Sequence, residues 1–168
     1  MLGIIILIIS IYLDGFITLY LPYLPGGLSI FTPMLTIVSI FIIFPLYRKK
    51  EKQYFITLFI VGIIYDLLYT NLLFYDALVF LFLGLIIRKI YKDFTVEHIK
   101  LSIHIILLII IYELLFSFFI IVFNLVPISL SKIIYKITHS ILLNIMYGEL
   151  LYTIIKHLPN KYKKISIN

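Results

Sequence analysis

Four carboxylates interrupt the long apolar runs of this sequence: Asp14, Asp66, Glu113 and Glu149. His139 joins them as a ring that can carry a proton near neutral pH. An ionisable group near the centre of a bilayer costs roughly 2.5–3.5 kcal/mol on insertion scales, so such groups face other helices or a wet cavity. One chemistry open to them is a proton path, an ion site or a substrate pocket. The other is structural: hydrogen bonds across helix contacts, worth roughly 0.6–2 kcal/mol each. The structural reading is favoured, because the carboxylates fall on separate segments with no relay spacing between them.

Enzymatic chemistry has less support. His98 and His104 are six residues apart and would face different sides of a helix. Neither an H-E-x-x-H pair nor a glycine-rich phosphate loop is present, and a Gly-x-Ser-x-Gly elbow is also missing. Asp14 and Asp66 are the one pair that could form an intramembrane aspartyl dyad, but neither sits in a protease signature. No catalytic residue, metal site or cofactor is expected.

The segments that must position these groups are read from hydropathy. A spanning helix needs about 20 mostly apolar residues. Six stretches qualify: 2–21, 31–47, 54–69, 72–90, 101–124 and 131–156. Pro22, Pro25, Gly26, Gly27 and Pro33 mark the first break as a turn-rich loop. Residues 48–52 form a charged turn, 70–76 a tight connection, 91–100 a polar linker, and Pro127 lies in the fifth break. The spacing places Leu58, Gly62, Asp66 and Thr70 on one face of the third helix. Gly62 would let a neighbouring backbone approach beside Asp66. Tyr65 offers a hydroxyl nearby, and Asn71 follows at the helix end. Gly84 and Gly148 are the small residues of the fourth and sixth helices, further candidates for close packing. At about 1.5 Å per residue, Asp14, Asp66 and Glu113 each fall on the order of 18–20 Å from the expected cytoplasmic end of their helices, with His139, entering from the other side, at a similar level.

Composition agrees. The 168 residues are 63% hydrophobic and 13% charged, against roughly 45–50% and about 25% in soluble domains. Such a chain needs lipid as solvent and has room for a single transmembrane domain. The first segment lacks a basic leader and a small-residue cleavage site, so it is expected to be retained as a helix. With no cysteine, disulfides and thiolate metal sites are excluded. The net charge of +6 does not point to nucleic acid, because the basic residues cluster between apolar runs, as cytoplasmic loops do.

That clustering orients the chain. Segments 48–52, 88–100 and 156–168 hold Arg48, Lys49, Lys50, Lys52, Arg88, Lys89, Lys92, Lys100, Lys156, Lys161, Lys163 and Lys164, twelve of the 14 basic residues. Only Lys132 and Lys136 fall on the other side, near a helix end where long stems can snorkel. Both termini, including the short basic tail 157–168, are therefore expected in the cytoplasm.

The third and fourth helices carry a resemblance. Gly62-Ile63-Ile64-Tyr65-Asp66-Leu67-Leu68-Tyr69-Thr70-Asn71-Leu72-Leu73, continuing through Asp76-Ala77-Leu78 to Gly84 and Arg88, resembles the MreD family of the bacterial rod-shape system. Asp14-Gly15 and Phe31-Thr32-Pro33-Met34-Leu35-Thr36 support it, and size, helix count and termini agree. Where that family often carries a glycine between the third and fourth helices, this chain has Phe74. A turn needing positive φ is unfavourable there, so the connection is expected to differ.

The resemblance implies an all-α integral membrane protein of six transmembrane helices, with a fold like the substrate-binding subunits of energy-coupling-factor transporters. It implies a non-catalytic scaffold of cell elongation and peptidoglycan synthesis in the inner membrane. Expected partners are lipid, the bitopic protein MreC and, through it, RodA with its transpeptidase; a second copy of the chain is also allowed. The alternative is a vitamin-type importer's substrate-binding subunit. Two features disfavour it: the first helix lacks the small-x-x-x-small pattern such subunits dock with, and the external loops are too short for a lid.

The orientation predicts a labelling pattern. Cysteines placed at Ser29 and Asn71 should react with an impermeant thiol reagent in intact cells, and those at Lys50, Thr95 and Lys163 should not. The reverse pattern would invert the topology.

Overall fold

A computed structural model describes residues 2–20, 32–70, 72–91, 98–123 and 129–157. Among the described residues are six helices and no strand. They are α1 (Leu2–Tyr20), α2 (Leu35–Tyr47), α3 (Glu51–Tyr65), α4 (Tyr75–Ile90), α5 (His98–Val122) and α6 (Leu130–His157), with a π-helical turn (Asp66–Thr70) continuing α3. Residues 21–31 of the turn-rich first loop, the linker residues 92–97, Asn71, Asn124, Pro127 and the tail from residue 158 lie outside the described residues.

The centre of the bundle is α2. A helix that is apolar all round has no face suited to water and must be surrounded. Every residue from Leu35 to Phe44 is buried, and α1, α3, α4, α5 and α6 all touch it. At about 1.5 Å per residue its 13 residues reach only about 20 Å, short of the roughly 30 Å of a bilayer's hydrocarbon. The central helix therefore begins inside the bundle.

The outer helices are apolar in the opposite sense. On α1, Gly3, Leu7, Ser10, Ile11 and Asp14 form the buried stripe, whereas Ile5, Ile9 and Tyr12 lie exposed. Ile60 on α3, Leu85 on α4, Leu114 on α5 and Leu142 on α6 are likewise at least half exposed. Asp14, Asp66, Asp76 and Glu113 are meanwhile buried. Large apolar side chains outside and carboxylates inside suit a lipid surround. Leu2–Tyr20, Glu51–Tyr69 and Ile99–Val122 are long and apolar enough to cross a membrane.

Two helices start later than hydropathy places them. α2 begins at Leu35, not Phe31: Pro33 disfavours helical geometry at Thr32, and the first free amides of the helix are claimed by side chains of other helices. α4 begins at Tyr75, not Leu72. There the sequence expectation fails in a second way, because Phe74 does adopt the left-handed conformation, with φ 68°. The Tyr75 N–H donates to Leu72 O at 3.2 Å, and Asp66 takes the next two amides. Those bonds hold a turn that an L-residue enters at a cost of about 1–2 kcal/mol.

Glycines set the tightest contacts. A Cβ on Gly62 would strike the Cα and N of Ala77, so α3 and α4 meet backbone to backbone. Farther along the same pair, Gly84 faces the side chains of Leu58 and Phe55, while Gly148 of α6 faces Ile105 of α5 and Val38 of α2. The antiparallel register ends in an ion pair, Arg88 to Glu51 at 2.9 Å.

Gly62→Ala should lower thermal stability in detergent, by about 1–3 kcal/mol, because backbone cannot yield. Gly84→Ala should cost less, since flexible side-chain ends can move. Phe74→Gly should raise stability by about 1 kcal/mol by removing the left-handed penalty. Equal losses for the two alanine variants would contradict the backbone contact at Gly62.

Candidate functional site

The buried start of α2 explains where the first carboxylate goes. A helix leaves its first four amides without intrahelical partners, and in a water-free interior each needs an acceptor. Asp14, projecting from α1, supplies two oxygens. Its Oδ1 accepts from Leu35 N–H at 2.7 Å, and its Oδ2 accepts from Thr36 N–H at 2.9 Å and from the Thr36 hydroxyl at 2.6 Å. Asn144, from α6, takes the preceding amide: Met34 N–H donates to its Oδ1 at 2.9 Å. The Asn144 amide in turn donates to Ser140 O at 2.7 Å. Two outer helices thus cap the central one. The negative charge also meets the positive end of the α2 dipole.

One turn further along α2 the same three helices meet again. Ser10, Ser39 and Tyr147 place their hydroxyls 2.6, 2.7 and 3.0 Å apart in a closed triangle. Ser10 also donates to Ile6 O at 2.7 Å.

Asp66 repeats the capping arrangement on the other side of the bundle. It stands at the start of the π-helical turn, and its Oδ1 accepts from Asp76 N–H at 2.7 Å. Its Oδ2 accepts from Ala77 N–H at 3.4 Å. The cap thus falls on α4, whose N-cap residue Phe74 gives no side-chain cap. Asp76 then accepts from the Tyr112 hydroxyl of α5 at 3.1 Å. Tyr65 packs its ring against Tyr69 and Phe80. Tyrosines also brace carbonyls across helices: Tyr54 to Ile40 O at 3.1 Å, Tyr69 to Ile11 O at 2.6 Å, and Tyr75 to Phe116 O at 2.5 Å.

The remaining groups are dispersed. Glu113 is buried on α5 and lies 3.9 Å from Lys136 Nζ of α6, which also sits 5.1 Å over the Phe116 ring. Lys136 thus turns toward a carboxylate within the bundle. Glu149 accepts from the Ser102 hydroxyl at 3.0 Å. His139 stacks on Tyr135 and bonds its carbonyl, within its own helix. Asp14 and Asp66 cap different helices, which is not the arrangement of an aspartyl dyad. Among the described residues, no cluster of three or more His, Cys, Asp or Glu is placed to hold a metal ion.

Several members of these networks carried little sequence signal. Asp76 could have been found from its place in a helix first turn, where acidic residues favour the dipole. Ser10, Thr36, Ser39, Asn144 and Tyr147 are ordinary polar residues in apolar runs, and only the packing brings them together.

A bundle with apolar flanks and carboxylates spent on helix caps defines a helical membrane protein held together by internal polar contacts. The chain belongs to a known family: the model of the rod shape-determining protein MreD matches residues 1–162, essentially its whole length. No curated protein and no solved structure matches it.

The caps predict graded effects. Asp14→Ala strands three donors and should cost about 2–4 kcal/mol, more than Asp66→Ala at about 1–2 kcal/mol. Asp66→Asn keeps an acceptor at a cap where Asn and Asp serve about equally, and should be within a few tenths of native. Membrane abundance and detergent melting curves distinguish them. Were Asp66→Asn inactive at normal abundance and stability, its titratable proton rather than its cap would be the functional feature.

Proposed function

We propose that this protein is a non-catalytic scaffold of the bacterial cell-elongation machinery. In this reading it crosses the inner membrane six times, with both termini in the cytoplasm. Its fold would resemble the substrate-binding subunits of energy-coupling-factor transporters without their transport role. It would bind MreC and, through it, take part in peptidoglycan synthesis by RodA and its transpeptidase. The observation that carries the reading is the family match over residues 1–162. The structure supports it in one respect: Asp14 and Asp66, the polar centres of the family-like motifs, are engaged by backbone amides of neighbouring helices. Carboxylates so engaged make a rigid bundle with a defined outer surface, which is what a scaffold presents to partners.

In this reading the work of the polar groups is assembly. Asp14, Tyr65, Asp66, Asn71, Glu113, His139 and Glu149 are proposed as packing or partner contacts, and Gly62, Gly84 and Gly148 as close-packing sites.

Depletion in a rod-shaped host should give rounded, widened cells, and the native protein should co-purify with MreC. Unchanged rod shape after complete loss, with no second copy present, would overturn the scaffold role. Small-molecule uptake that depends on the protein would favour the importer instead.

A further inference from the structure

One end of the bundle concentrates charge. The antiparallel packing of α3 on α4, fixed by Gly62 against Ala77 and by Gly84 against Leu58, brings the last turn of α4 beside the first turn of α3. Arg88 consequently reaches Glu51 at 2.9 Å. The short turn from α2 into α3 carries Arg48, Lys49 and Lys50, the first turn of α3 carries Lys52, all exposed, and Lys89 is exposed beside Arg88. Among the described residues, six basic side chains and the carboxylate of Glu51 therefore share the ends of these three adjoining helices. The apolar flanks of α3 and α4 begin within about a turn or two of this cluster, at Ile56, Phe59 and Leu85. A surface that is strongly cationic at its end and bare hydrocarbon along its side is complementary to one kind of molecule, an anionic headgroup carrying acyl chains.

We infer that the α2–α3 turn and the end of α4 form a binding surface for anionic phospholipid, with Arg48, Lys49, Lys50, Lys52, Arg88 and Lys89 supplying the charge. This goes beyond the scaffold role and does not depend on it. Glu51 limits the positive charge and holds Arg88 along the α3–α4 seam. Removing that carboxylate should therefore strengthen lipid binding, whereas a purely structural ion pair predicts no gain. The apolar contacts alone would bind neutral and anionic lipids alike, so headgroup selectivity reports the basic surface itself.

The test uses the full chain purified in detergent and titrated with phosphatidylglycerol or phosphatidylcholine, bound lipid being counted by native mass spectrometry. Phosphatidylglycerol should bind in preference, and more weakly as salt is raised. Lys49→Gln with Lys50→Gln should weaken it roughly fivefold for each charge removed. Glu51→Gln should tighten it, an exposed ion pair being too weak for its loss to unfold the protein. Lys132→Gln, at the opposite end of the bundle, should leave it unchanged. Equal binding of the two lipids, insensitivity to the double substitution, or no gain from Glu51→Gln would overturn the proposal. So would an oligoglutamate peptide that binds this end more tightly than the lipid, which would assign the surface to an acidic protein.

Discussion

The structure depends on a helix that starts where there is no water. α2 is wrapped along nearly its whole length, and its first amides open into the bundle interior. Left unpaired, each would cost several kcal/mol in a medium that cannot hydrogen-bond. Asp14 and Asn144 remove that cost from two different helices. The same bonds fix where α1 and α6 sit along α2, because a cap works only at one register. Capping, usually a local matter within a few residues of sequence, here joins residues 14, 34–36 and 144.

The second cap extends the principle to the other half of the bundle. Asp66 holds the start of α4, and the π-helical turn that carries it sends Tyr69 the other way, onto Ile11 O of α1. A π-turn changes the angular step between residues, so side chains three apart can serve helices on opposite sides. The left-handed Phe74 belongs to the same device. The chain must reverse within a few residues to present the amides of Asp76 and Ala77 to Asp66. The backbone strain this requires is offset by the capping bonds of Asp66, together worth about 1–2 kcal/mol.

Polar groups used this way leave the outer surface to other interactions. Apart from the polar cluster at one end, the flanks of α1, α3, α4, α5 and α6 present isoleucine, leucine and aromatic side chains, which lipid or a partner's helix can cover equally well. Rigidity comes from inside, through caps, the Ser10–Ser39–Tyr147 triangle and tyrosine braces. A bundle so braced presents a defined outer surface, as the proposed scaffold role requires.

Sequence alone determined what depends on composition and local pattern. Long apolar runs forced helices in a lipid surround, basic clusters marked one end, and Asp66 beside Gly62 stood out because a carboxylate and a glycine are costly in such a run. It also singled out Asp14 and Glu113 as groups that must face inward. Tertiary structure decided which donors they meet. No hydropathy pattern says that Asp14 finds the amides of Leu35 and Thr36, since those partners are 21 and 22 residues away and belong to backbone that every residue possesses. The same reason helped hide the late starts of α2 and α4: apolar side chains continue through Phe31 and Leu72, and apart from Pro33 before α2 it is the capping bonds of other helices that settle where the coil begins. Phe74 shows the limit most plainly. Its side chain argues against a left-handed turn, and the decision lies with Asp66, eight residues earlier, whose oxygens accept the amides that the turn presents.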